Sequence, residues 1–334
     1  MQGRWWLRVP GGALLVLVAL VTACTTGGPG PEDPAGEGAA ALNPGEALRD
    51  AARLYQERKP EEALAICQTL LKQPLRPLHE AWARYYAGEA LFQLQRFYEA
   101  HEHFEILIAY FPGFSELKRV IDREYAIACA FVDGRQERPF LWTTISARGL
   151  GYEMLEVLLT RFENPGFDYG RFLMGEYQLD EGNYIKAYEN YQQLIREYPD
   201  SEWADLAQFR AAQATYRTCE GFEYDVEAAL AAEEQLADYL RRYPTGNKVA
   251  EAEALLAEIR AGLADRNMKI AEYYRDRADQ PHSAAIYYAT VLRLYPATEE
   301  AREAAEELRE LVARHPGDPE VAREAERALP TSGD

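Results

Sequence analysis

From Pro44 to about Arg314, apolar residues recur at steps of three and four among Ala, Glu, Leu and Arg. That period predicts amphipathic α-helices, and no stretch alternates credibly as a strand. Pro and Gly punctuate the pattern at Lys59-Pro60, Pro112-Gly113, Pro165-Gly166, Tyr198-Pro199, Tyr243-Pro244 and Tyr295-Pro296. Proline lacks the N–H that continues a helix. The chain therefore reads as helices of roughly 12 to 20 residues joined by short turns. After His315 only a short acidic helix is expected, before a Pro-Thr-Ser-Gly-Asp end.

The breaks keep a register. Gly88, Ala100, Phe104 and Pro112 are separated by 12, 4 and 8 residues, and Gly175, Ala187, Tyr191 and Pro199 repeat those separations. Ala232, Leu236 and Pro244 repeat the last two, as do Ala284, Tyr288 and Pro296. A weaker copy starts at Ala63, with Cys67 in the aromatic slot and Pro74 slightly early. Glycine lets the second helix of a pair approach closely, alanine is its small counterpart, the aromatic fills the gap, and proline stops the helix. The register resembles the tetratricopeptide repeat (TPR), a helix–turn–helix unit of about 34 residues. Such units bury their faces only by stacking. The expected fold is an all-α TPR solenoid of about five to six helical pairs. Ser115 to Asn164 fits the register poorly and carries an irregular insert, Asp133 to Thr144. Glu220 to Asp225 lengthens a later turn.

The N-terminus has a different pattern. Arg4 and Arg8 precede the apolar run Gly11 to Val21, and Val21-Thr22-Ala23-Cys24 follows. A basic start, a short apolar core and small residues make a secretory signal. The run is short of the ~20 residues that span a bilayer. Cys24, directly after the small residues, resembles a bacterial lipobox. That resemblance implies cleavage before Cys24, a diacylglycerol on its sulfur, and an acylated amine. Thr25, where an Asp marks inner-membrane retention in such signals, implies export to the outer membrane. Residues Thr25 to Asn43 are rich in Gly, Pro, Ala and acid and cannot bury enough apolar area to fold. About 20 such residues give a tether with a reach on the order of 25 Å. The expected organisation is a signal peptide at 1–23, a lipidated tether at 24–43, a solenoid at 44–314 and an acidic tail at 315–334.

Charge narrows the partners. The 334 residues carry a formal net charge of −19, and losing Arg4 and Arg8 with the leader takes it to −21. Nucleic-acid binding needs clustered Lys and Arg, so no nucleic acid is expected as partner. The membrane is met through lipid, because an acidic body does not adhere to anionic headgroups. Cys67, Cys129 and Cys219 remain after Cys24; three thiols cannot all pair within one chain. They lie in apolar helical stretches and read as small buried hydrophobes.

The last third carries a closer resemblance. Leu263-Ala264, Ala271 with Tyr273, Tyr274 and Arg277, Ala284-Ala285, and Val291 with Tyr295, Pro296 and Thr298 follow in order. This succession resembles the final repeat of the BamD-like outer-membrane assembly lipoproteins. The resemblance implies a non-enzymatic scaffold on the periplasmic face of the outer membrane. Its C-terminal half would dock a BamA-like barrel assembly protein, and its N-terminal repeats would contact unfolded outer membrane proteins.

A TPR stack lines a groove with positions 2, 5, 9 and 12 of each first helix. Here those are Trp82, Tyr85, Glu89 and Phe92, then Tyr169, Phe172, Glu176 and Leu179; the weaker first unit offers Leu48 and Tyr55. The aromatics either form a wall for an extended apolar peptide or pack between helices. Tyr273, Tyr274 and Arg277 form a second candidate surface. Arg277 either pairs locally with Glu272 or Asp276, worth little at a surface, or anchors a partner's carboxylate.

No catalytic chemistry assembles. His101-Glu102-His103 places its histidines two apart, on different helix faces, whereas a zincin helix spaces them by four. Gly149-Leu150-Gly151 follows no strand, and no P-loop or nucleophile elbow occurs. No metal, cofactor or enzymatic activity is expected. Two other readings stand beside the leading one. One is a TPR adaptor lipoprotein of another envelope complex, such as cell-wall synthesis or Tol–Pal. The other is a solute- or peptide-binding lipoprotein.

Overall fold

A computed structural model describes residues 42–134, 147–164, 166–222 and 224–329. Cys24, the signal peptide, the tether up to 41 and residues 135–144 of the insert lie outside them. Fourteen α-helices and no strand occupy the described residues. They form seven successive pairs. α1 (Pro44–Gln56) pairs with α2 (Pro60–Leu71), α3 (Pro77–Gln93) with α4 (Phe97–Tyr110), and α5 (Leu117–Val132) with α6 (Ala147–Arg161). α7 (Asp168–Asp180) pairs with α8 (Tyr184–Glu197), and α9 (Ala204–Thr218) with α10 (Val226–Arg242). α11 (Val249–Asp276), the longest, pairs with α12 (Pro281–Leu294), and α13 (Glu299–Arg314) with α14 (Pro319–Ala328). Each helix packs on the next along the chain, and α14 also packs on α12.

Local chemistry sets the ends. α1, α2, α3, α12 and α14 open with proline in the first turn, where its missing N–H costs nothing. Asn43, Asp225, Thr298 and Asp318 accept backbone N–H groups at their helix starts, each cap worth about 1 kcal/mol. Within five pairs the turn passes through a left-handed residue: Arg58, Gln95, Gly134, Gly182 and Asp279. Only the glycines adopt that conformation without a steric penalty.

The register read from the sequence is the packing. In the small slot Ala63, Ala100, Ala187, Ala232 and Ala284 are fully buried; in the next slot so are Cys67, Phe104, Tyr191, Leu236 and Tyr288. A Cβ on Gly88 would lie 2.5 Å from the Phe104 ring, and one on Gly175 would lie 2.4 Å from Tyr191. Glycine at those positions is what allows the aromatic slot to hold a full ring.

Two stretches differ from the sequence expectation. The poor register of 115–164 conceals a pair, because α6 seats Gly151 against the α5 backbone at Ala128 and Val132. The short acidic helix expected after His315 is α14 (Pro319–Ala328), and it buries Val321 and Ala325 against the stack. These additions account for seven pairs rather than five or six. The insert Glu220 to Asp225 docks on α11, its Phe222 ring lying over Gly262. Among the described residues no helix is long and apolar enough to cross a membrane.

Candidate interaction face of the first helices

The first helices of three successive pairs meet at Glu89. This α3 carboxylate is fully buried. It accepts hydrogen bonds from the Tyr55 hydroxyl of α1, from Arg119 Nη2 of α5 at 2.9 Å and from Arg123 Nε of α5 at 2.8 Å. Arg119 also donates to the Tyr55 oxygen at 2.8 Å. Burial alone would raise the Glu89 pKa, but the bonds from Arg123 and Tyr55 and the two guanidinium charges hold it below the ordinary value. Two cations against one carboxylate leave a local positive excess on a strongly acidic body. Both arginines keep solvent access, with side chains 45% and 31% exposed.

Aromatic rings flank this charge cluster on both sides. Arg123 lies 4.4 Å over the Phe92 ring, a cation–π contact, and Phe92 packs against Phe97. Tyr86 stacks on Trp82 at 5.6 Å and reaches Tyr55 at 6.2 Å. Trp82 meets Phe114 edge-on. The result is a stripe of half-buried Trp82 and Tyr86, then Tyr55, Arg119 and Arg123, then Phe92.

The second matched repeat reuses the plan. Glu176 accepts from the Tyr191 hydroxyl and forms a 3.1 Å ion pair with Arg210 of α9. Trp203 stacks on Phe172 at 5.0 Å and lies 4.7 Å from Tyr169.

The predicted groove residues thus divide. Trp82, Phe92 and Tyr169 are partly buried at the face, whereas Tyr85 and Phe172 retain only 4% and 5% of their surface. Tyr85 is covered by Trp82 and Phe114, so it supports the wall rather than forming its surface. Leu48 is buried beneath α2 and α3. Sequence reasoning missed Tyr86, Arg119, Arg123 and Arg210. One signal was available: Tyr55 and Glu89 are 34 residues apart, as are Glu89 and Arg123, and that is the repeat length.

At the other end Tyr273 is 58% exposed and touches Tyr274, which stacks on Tyr287 of α12. Arg277 caps α11 through its backbone and its exposed side chain makes no ion pair with a described residue. The paired arginine is Arg275, bound to Asp276 and Glu307.

Residues 216–327 match the model of the YfiO family of outer membrane lipoproteins. The matched stretch contains Leu263 to Thr298, whose motifs carry the resemblance to BamD-like lipoproteins. A tetratricopeptide repeat model matches 169–201, the α7–α8 pair. No curated protein matches the chain. Among solved structures, the C-terminal part of a TPR repeat-containing protein from Cytophaga hutchinsonii is similar at 13% identity and a TM-score of 0.37, over 83% of this chain and 98% of that one. The TPR domain of P58(IPK) is similar at 16% identity and a TM-score of 0.33, over 86% of this chain and 78% of that one.

Other chemistry is sparse. No group of three or more His, Cys, Asp or Glu gathers among the described residues in a way that could hold a metal. His101 bonds the buried Glu124 carboxylate through Nδ1, and His103 is held down to about 4 by burial and by Arg84. Cys67 is fully buried and its thiol is pushed up to about 12 by desolvation, which leaves it a packing residue.

Proposed function

We propose that the chain is a lipid-anchored, non-enzymatic scaffold of outer-membrane β-barrel protein assembly on the periplasmic face. The observation that carries this reading is the match of 216–327 to an outer membrane lipoprotein family. Acylation at Cys24 would supply the anchor, because two or more acyl chains hold a protein stably at a membrane.

The stack would divide the work. Its C-terminal pairs, with Tyr273, Tyr274 and Arg277 at the surface, would dock a BamA-like barrel assembly protein. Exposed Tyr and unpaired Arg are the residue types that anchor interfaces. The N-terminal first-helix face would hold an unfolded outer membrane protein segment. Extended chains present alternating aromatic side chains and unpaired carbonyls. The rings of Trp82, Tyr86 and Phe92 fit the first, and the donors of Arg119 and Arg123 fit the second. Glu89 would hold both arginines in place without using up their outward N–H groups.

Site-specific photo-crosslinking of the full, lipidated chain separates the two surfaces. A crosslinker at Tyr273 should capture one large barrel protein, and one at Phe92 should capture a ladder of outer membrane proteins. The same partners from both positions would contradict the division of labour. Only cell-wall enzymes or Tol–Pal components at both would replace it with the envelope-adaptor reading.

A further inference from the structure

The large apolar side chains left exposed on the first two helical pairs all lie at one end of those pairs. They are Leu42 at 40%, Leu78 at 64% and Tyr110 at 76%. Successive helices joined by short turns run antiparallel, so the start of α1, the α2–α3 turn and the α4–α5 turn share that end. Gln73 Nε2 of the α2–α3 turn donates to the Leu42 carbonyl at 3.3 Å. Leu75 of the same turn packs on the cluster of Ala47, Leu48, Leu70 and Ala83. Phe114 of the α4–α5 turn meets the ring of Trp82, one helical turn beyond Leu78, at 5.0 Å.

The same end is locally cationic. Lys72, Arg76 and Lys118 are exposed there and form no ion pair with a described residue. Against them stand Glu46 and Glu116, while Glu80 is paired with Arg84 at 2.8 Å. This small positive excess sits on a chain of formal net charge −19. The tether that leads back to Cys24 joins the body at this end, at Leu42.

We infer that this end docks on the phospholipid bilayer that anchors Cys24, with Leu42, Leu78 and Tyr110 entering the headgroup layer and Lys72, Arg76 and Lys118 meeting lipid phosphates. Interfacial binding grows with inserted apolar area and with cations near the surface, and tyrosine suits the headgroup level. The acidity of the whole body opposes adhesion, but at physiological salt charges act over only about 8 Å, so the cations at the contact decide it. Three side chains bind weakly alone. The inference therefore rests on acylation of Cys24, because a tether with a reach on the order of 25 Å keeps this end at high local concentration beside the membrane. Docking would set the orientation of the stack on the membrane.

The test places a photo-crosslinking benzoylphenylalanine at Leu78, Tyr110 or Ile185 in the full, lipidated chain, reconstituted in vesicles of equal parts phosphatidylglycerol and phosphatidylcholine. Ile185 is the control: it is 68% exposed but opens α8, at the opposite end of its pair. Phospholipid adducts are expected at 78 and 110 and not at 185. Lys72→Glu with Arg76→Glu should cut the yield at 110 at least about fivefold, with an unchanged melting temperature. Flotation with the vesicles reports the anchor separately. Adducts at all three positions alike, none in a chain that floats, an unchanged yield in the double variant, or a crosslinked dimer at Leu78 in place of lipid would each overturn the docking alone. A chain that fails to float would overturn the anchor and the docking together.

Discussion

Glu89→Gln tests how the first helices are held together. The substitution keeps the size of the side chain and an acceptor for Tyr55, and removes only the charge. Three donors lose a carboxylate: Tyr55, Arg119 and Arg123. Hydrogen bonds to charged groups contribute about 1.5–3 kcal/mol each, and breaking a fully buried pair costs about 3–5 kcal/mol. Here the arginine side chains are 45% and 31% exposed and recover water when the carboxylate goes, which discounts the loss. About 2 kcal/mol remains, or roughly 3 °C in melting temperature for a body of this size. The assay is thermal unfolding followed by circular dichroism across a pH series. Glu89 is held below its ordinary pKa in the folded state. Its contribution is thus fully present above the ordinary carboxylate range and is lost as pH falls through the folded value. The gap between wild type and variant should be widest near neutrality and should close in acid. A gap below about 1 °C at neutral pH, or one that does not narrow as pH falls below the ordinary carboxylate range, would refute the reasoning.

Two further outcomes follow from packing and protonation. Gly175→Ala places a Cβ 2.4 Å from a Tyr191 ring whose hydroxyl is tied to Glu176; overpacking of about 1–3 kcal/mol outweighs a helix-propensity gain of up to about 1 kcal/mol, and urea unfolding should show a net loss. His103 is held down to about 4 by burial, so the unfolded chain takes up its proton first as pH falls. The stability this neutral form provides is complete above the ordinary histidine pKa and is lost toward pH 4; His103→Gln should flatten the melting-temperature profile across that window.

The register was legible because it is steric. Gly88 against Phe104 and Gly175 against Tyr191 leave no room for other side chains, so the spacing survives as a pattern in the letters. The Glu89 cluster was not legible, although its members sit one repeat apart, because Arg and Glu at helical spacing look the same whether they are buried partners or a solvated face. Tyr85 and Phe172 occupy groove positions by number, yet Phe114 and Trp203 from the end of each unit roll over them. The short acidic helix expected after His315 is α14, but its docking was not legible because its composition is strongly charged and only Val321 and Ala325 commit it to the stack. Arg277 left two roles open from sequence, and its neighbour Arg275 holds the local ion pairs instead.

The most direct measurement of the central proposal is a crosslinked pulldown of the lipidated chain from its own envelope, with mass spectrometry of what it captures. The account predicts a large outer-membrane β-barrel protein with soluble periplasmic repeats, lost when residues 263–298 are replaced. Recovery of cell-wall synthesis or Tol–Pal proteins without any barrel protein would contradict it and leave a TPR scaffold serving another machine.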